Sequence, residues 1–205
     1  RNEQVGGAAV THEFFDGFRV SGCAQWLYQF NPNIRAELKL DQYGYELAAE
    51  NLNTIALSAD SNHLTLSSAE LNGASVTESD KKAYQLFIKQ MFKFSGILAK
   101  ASERRIPKLL EANWGDRFAL FKLGLEMKLL GKEDMQDLLR IALINIYDVL
   151  QENFDNDLLK AALSLDATLG THMGPRSPNT VFSFLHRRLG EVFGFNGVSV
   201  VKGGM

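Results

Sequence analysis

Thr77-Glu-Ser-Asp80-Lys-Lys-Ala-Tyr84-Gln-Leu-Phe87-Ile-Lys-Gln-Met91-Phe-Lys-Phe94-Ser-Gly-Ile-Leu98 sets the architecture. Tyr84, Phe87, Met91, Phe94 and Leu98 recur at alternating spacings of three and four, which draws one apolar stripe down a long helix. Thr77 with Asp80 resembles a capping box in which Asp replaces the usual Glu or Gln. Pro107 closes the segment, because its ring cannot continue the backbone ladder. From this point the chain reads as predominantly helical.

Three further helices follow. One covers about 116–130 and stops at Gly131. Another begins near Glu133 and carries Met135, Leu138, Ala142, Ile146 and Val149. The last covers about 157–169, with Asp155 or Asn156 as its cap and Gly170 as its stop. In 116–130 the apolar residues wrap almost the whole circumference, a pattern usual for a helix buried between layers. Plain core packing is one reading; the other makes Phe118, Phe121 and Leu125 walls of an apolar substrate cavity. The run Val181 to Arg188 is also helical, and Val198 to Val201 is a short strand.

The part before Thr77 is β-leaning. Two aromatic runs flank Asp16-Gly17, a hairpin signal, and a short helix is expected over 33–38. Residues 54–57 and 63–66 form a second hairpin across a turn-rich link, with Leu64 and Leu66 on one face. The fold class is therefore α+β: a mixed β-sheet covered by a large helical layer.

The chain has 205 residues, enough to bury a substantial core. A formal charge of −2 supplies no basic footprint, which argues against nucleic acid as a partner. The apolar run from Ile141 to Tyr147, interrupted by Asn145, is too short for a transmembrane segment. Cys23 is the single cysteine, so an internal disulfide and a cysteine zinc site are excluded. This usage fits a reducing compartment, and the cytoplasm is the expected location. The polar start has no signal peptide and falls in mid-motif, as expected of a fragment.

Chemical candidates are few. His12, His63, His172 and His186 have no partner at a metal-ligand spacing, so no metal is expected. His172 lies in a glycine-proline loop, where a substrate contact or a solvated structural role are both open. His186-Arg187-Arg188 reads as a polar helix face, and Asp116 and Asp166 as surface or capping carboxylates. Ser177 lacks nucleophile-elbow glycines, and Cys23 reads as a buried, inert thiol. Catalytic residues stay unknown. Gly6-Gly7 removes two Cβ atoms, which suits either a loop or a close approach to a ligand.

Three stretches together resemble the FAD-dependent amine oxidase and phytoene dehydrogenase-related family. They are Arg1 to Thr11 with Gly17-Phe18; Asp157 to Leu163, continuing through Asp166-Ala167, Gly170-Thr171 and Pro175 to Thr180; and Lys202-Gly203-Gly204-Met205. The resemblance implies FAD in the intact parent and oxidation or desaturation of a small apolar substrate by hydride transfer to the flavin. It places Gly6, Gly7 and Ala8 along the cofactor, with Gly203 and Gly204 at a second turn beside it. It makes 1–12 the tail of a FAD-binding domain, 13–195 a substrate-binding domain, and 196–205 the return. Val20-Ser-Gly-Cys-Ala24 stands where carotenoid desaturases have an Asp-Ala-Gly-Pro-like run, which counts against a carotenoid. Most flavin contacts in the family lie outside these stretches, so FAD binding by the fragment alone is expected to be weak or absent, and homodimerisation through uncovered surfaces is expected. Two other readings stay open: a helical protein-interaction module without redox activity, and a small-molecule carrier.

Overall fold

The long helix, α2 (Glu78–Ser102), is the axis of the core in the computed structural model, which describes residues 6–104, 107–108, 110–111 and 113–204. Arg1 to Val5 and Met205, which carry part of the family resemblance, lie outside the described residues, as does the Ala142 side chain. Thr77 accepts from the Asp80 N–H while Asp80 accepts from the Thr77 N–H, so the expected capping box forms. Tyr84, Phe87, Met91 and Phe94 are buried and Leu98 is partly buried, as the stripe predicts.

Around α2 stand α3 (Trp114–Leu129), α4 (Lys132–Leu143), α5 (Ile146–Asn153), α6 (Asp157–Thr168), α7 (Thr180–Arg187) and the short α8 (Leu189–Val192). The single helix expected through Met135 and Val149 is two. Asn145 ends α4 and caps α5, accepting from the Asp148 N–H at 2.9 Å. Asn156 caps α6, and Gly170 follows that helix with a left-handed φ of 81°. One apolar cluster joins α2, α4, α5, α6 and α7. Phe87 lies at its centre, edge-on to Phe154 at 5.2 Å and tilted against Phe184 at 5.9 Å.

The α+β class holds. Among the described residues the strands form three small antiparallel sheets rather than one mixed sheet. The strands β1 (Thr11–Phe15) and β2 (Phe18–Ser21) make the Asp16-Gly17 hairpin. Strand β3 (Leu47–Leu52) pairs with β7 (Val198–Val201), and β4 (Thr54–Ala56), β5 (Leu64–Leu66) and β6 (Leu71–Gly73) form a meander. Leu64 and Leu66 share the buried face as their alternation requires. A two-way bridge between Leu27 and Ser199, 2.9 Å each way, ties the segment after β2 onto β7. The short helix α1 (Pro32–Glu37) starts at its Asn31 cap, with Ile34 and Leu38 both exposed.

The expectation that the helix over 116–130 is buried between layers is overturned. Along α3, only Asp116 is buried; Trp114, Phe118, Phe121 and Leu129 are exposed. The physical reason is the missing stripe. With apolar residues on every side, no face is preferred, and α3 rests only lightly on α2 and α4. Cys23 is exposed too, contrary to the buried thiol expected of it, because it falls between the exposed hairpin and the Leu27 bridge.

Candidate functional site

The two glycine pairs adopt backbone forms that favour glycine. Gly6 and Gly7 have φ of 129° and 57°, and Gly203 and Gly204 have φ of 82° and 104°. Gly6-Gly7 opens a 3₁₀ turn over Gly7–Ala9, and the Ala8 carbonyl accepts from the Ala24 N–H at 3.2 Å. Gly203-Gly204 follows β7. A Cβ on Gly204 would lie 2.1 Å from the Thr11 hydroxyl oxygen, so Gly204 is packed against the first residue of β1. On Gly7 or Gly203, by contrast, a Cβ would meet nothing within 4 Å. Both glycine turns thus lie beside the start of β1, and Gly7 and Gly203 each leave a backbone face open.

The other candidates are scattered. Phe118, Phe121 and Leu125 project from α3 into the open, and none lines a described cavity. His172 is exposed in the loop after α6. That loop has a structural task. Thr180 Oγ1 accepts from the buried Ile146 N–H at 2.9 Å, Tyr147 N–H donates to the Pro175 carbonyl at 3.1 Å, and Arg176 stacks over the Tyr147 ring at 4.0 Å. The glycine-proline loop therefore fastens the start of α5 to the start of α7.

A charged cluster converges elsewhere. Val181, Phe184 and Leu185 form the buried stripe of α7, and Arg188 continues it at the next helical step. Arg188 is accordingly drawn inside, with its side chain 10% exposed and paired to Glu191, itself 12% exposed. Arg187 pairs with Asp166 of α6 at 3.2 Å and lies over the Tyr28 ring at 3.5 Å. Tyr28 is held by close packing, because Gly190 leaves no room for a Cβ, which would fall 2.0 Å from the Tyr28 carbonyl oxygen. These groups border a cavity of about 80 Å³ whose far wall includes Tyr84, Ser67 and Val198. The Tyr84 hydroxyl donates to the Ser67 carbonyl at 2.6 Å.

Electrostatics in the cluster follow from burial. Desolvation raises the Glu191 carboxyl, against the pull of the Arg188 charge and hydrogen bond. Desolvation likewise raises Asp166, with Arg187 and Arg188 opposing it. The Tyr84 phenol is pushed up to about 12 by burial, so it stays a hydrogen-bond donor at neutral pH. Among the described residues, Arg188 Nε is a buried donor without an acceptor. Among the described residues no group of three or more His, Cys, Asp or Glu is placed to hold a metal ion.

Sequence reasoning missed this cluster, because adjacent charges on a helix usually belong to a solvated face. The available signal was the continuation of the Val181-Phe184-Leu185 stripe into Arg188, with Glu191 three residues on.

Among the described residues, no helix is long and apolar enough to cross a membrane. No family model matches the chain. The chain is 29% identical, over an alignment of 223 residues, to a rat protein named pyridine nucleotide-disulfide oxidoreductase domain-containing protein 2. It is 27% identical to the mouse protein of the same name. Both alignments take in all of this chain, which spans 38% of the length of these relatives.

Proposed function

We propose that this chain is the substrate-binding part of an FAD-dependent oxidoreductase, related to the phytoene dehydrogenases, that oxidises or desaturates an apolar substrate. The observation that carries the reading is the contact between Gly204 and Thr11. It brings the two glycine turns close together, as a domain joined to a flavin-binding domain by two adjacent connections requires. The name of the rat and mouse relatives, which refers to an oxidoreductase domain, agrees with redox chemistry.

The open backbone at Gly7 and Gly203 fits the edge of a flavin nucleotide, where amide groups lie close to the cofactor. These glycines and Ala8 supply a small share of such a site. A flavin held there would supply the hydride acceptor. The chain's own residues bind and orient the substrate and keep water from the reacting bond. The polar cavity begins at Val198 and the second glycine turn ends at Gly204, six residues on. An extended run of that length spans at most about 22 Å, so cavity and glycine turns lie within reach of one large cofactor–substrate pair.

The test is FAD retention by the full-length protein carrying Gly204→Val. The substitution drives side-chain atoms into Thr11 and should release flavin while the rest of the fold survives. Full FAD retention by that variant would remove Gly204 from the cofactor's surroundings.

A second reading has its own observation. Trp114, Phe118, Phe121 and Leu129 give α3 an apolar surface that is exposed among the described residues, which suits a helical protein-interaction module without redox activity. A full-length protein that binds no flavin would favour it.

A further inference from the structure

The polar cavity opens onto a second, wider space. A groove of about 490 Å³ lies between α2 and the turn after β5, and it shares Ser68, Glu191 and Asn196 with the cavity. Its walls are Ala69, Ile88 and Phe92, with the Lys89 stem along one side. Phe92 is 46% exposed on a helix whose other aromatic side chains, Tyr84, Phe87 and Phe94, are buried. The groove alone has the size of a small-molecule site, whereas the cavity has room for only a few heavy atoms.

Charge decides what can enter the narrow end. Arg187 and Arg188 are matched by Asp166 and Glu191, so the cluster is already neutral. A charged head would enter a largely desolvated space without a counter-charge, which is costly. One hydrogen-bonding capacity is left over, because Arg188 Nε is a buried donor that lacks an acceptor among the described residues. An uncharged oxygen acceptor answers that need without upsetting the balance.

We propose that cavity and groove form one site for an elongated apolar molecule ending in an uncharged hydrogen-bond-accepting head, a carbonyl or carboxamide. The head lies against Arg188 and the chain runs over Ile88 and Phe92. This deepens the proposed function and rests on it for the site's role in oxidation. The recognition itself needs no flavin.

The experiment titrates decanamide, decanoate and decylamine, which share one chain, into the purified protein by calorimetry. Decanamide should bind roughly tenfold more tightly than either charged probe, the size of one well-placed hydrogen bond. Arg188→Met should abolish that preference. Phe92→Asp, at a part-exposed position that tolerates the change, should weaken all three probes together. Decanoate or decylamine binding as well as decanamide, a preference that survives Arg188→Met, or no binding to the folded protein would each overturn the proposal. If Arg188→Met does not fold, the probe ranking and the Phe92→Asp result decide. Failure here leaves the flavin reading intact, and a full-length protein without flavin leaves this binding result standing.

Discussion

The hydrogen bond from Tyr84 to Ser67 ties the central helix to the meander and forms one wall of the polar cavity, so its removal makes a quantitative prediction. Tyr84 is 2% exposed and its hydroxyl lies 2.6 Å from the Ser67 carbonyl oxygen. Tyr84→Phe keeps the ring and deletes only the donor. The net loss is one buried hydrogen bond with its acceptor left behind, about 1–2 kcal/mol. For a chain of this size that lowers Tm by roughly 2–8 °C. A second, independent readout comes from alkaline pH. Burial pushes the folded phenol up to about 12 from an ordinary value of 10. A group whose folded pKa is raised contributes stability that is fully present below its unfolded pKa and is lost as pH rises through the folded one. Neutral Tyr84 thus contributes below pH 10, and about 2 kcal/mol should disappear by pH 12. Urea denaturation at a series of pH values, on wild type and Tyr84→Phe, measures both effects. The variant should be less stable at pH 7 and should lose less of its remaining stability on going alkaline. An unchanged midpoint at pH 7 together with an unchanged alkaline slope would refute the reasoning.

Three further outcomes are expected. Gly190→Ala forces a Cβ to within 2.0 Å of the Tyr28 carbonyl oxygen and should cost about 1–3 kcal/mol, whereas Gly124→Ala on α3, with nothing within 4 Å, should gain up to about 1 kcal/mol; thermal melts separate the two. Burial raises the folded pKa of Asp166, so its ionisation opposes folding and the penalty grows as pH rises through that value. Asp166→Asn should therefore look progressively more favourable, relative to wild type, as pH rises above the ordinary aspartate range, as measured by Tm against pH. Phe14, Phe15, Phe18, Phe118 and Phe121 are all well exposed, and the 205-residue chain alone should self-associate; sedimentation velocity over a concentration series should show this, and Phe118→Asp with Phe121→Asp should reduce it.

Much of the fold was legible because its signals are local. Thr77 with Asp80, the stripe from Tyr84 to Phe94, the Asp16-Gly17 turn and the Asn156 cap each specify an element within a few residues, and each formed. The break between α4 and α5 was hidden because the apolar spacing from Met135 to Val149 runs through it in phase; only Asn145 with Asp148 marks it. Strand β6, at three residues, is too short to show a period. The exposure of α3 was invisible because an all-round apolar helix looks the same whether it is buried or waiting for a partner. The polar cavity was harder still. Asp166, Arg187, Arg188 and Glu191 meet only when α6 packs on α7, and a charge drawn onto a buried stripe is read from sequence as a solvated face.

The most direct measurement is the visible absorption spectrum of the purified full-length protein, recorded beside the 205-residue chain after both have been incubated with FAD and freed of excess cofactor. Flavin bands are expected in the full-length protein, with the 205-residue chain colourless. A full-length protein that is colourless and takes up no added FAD would contradict this expectation.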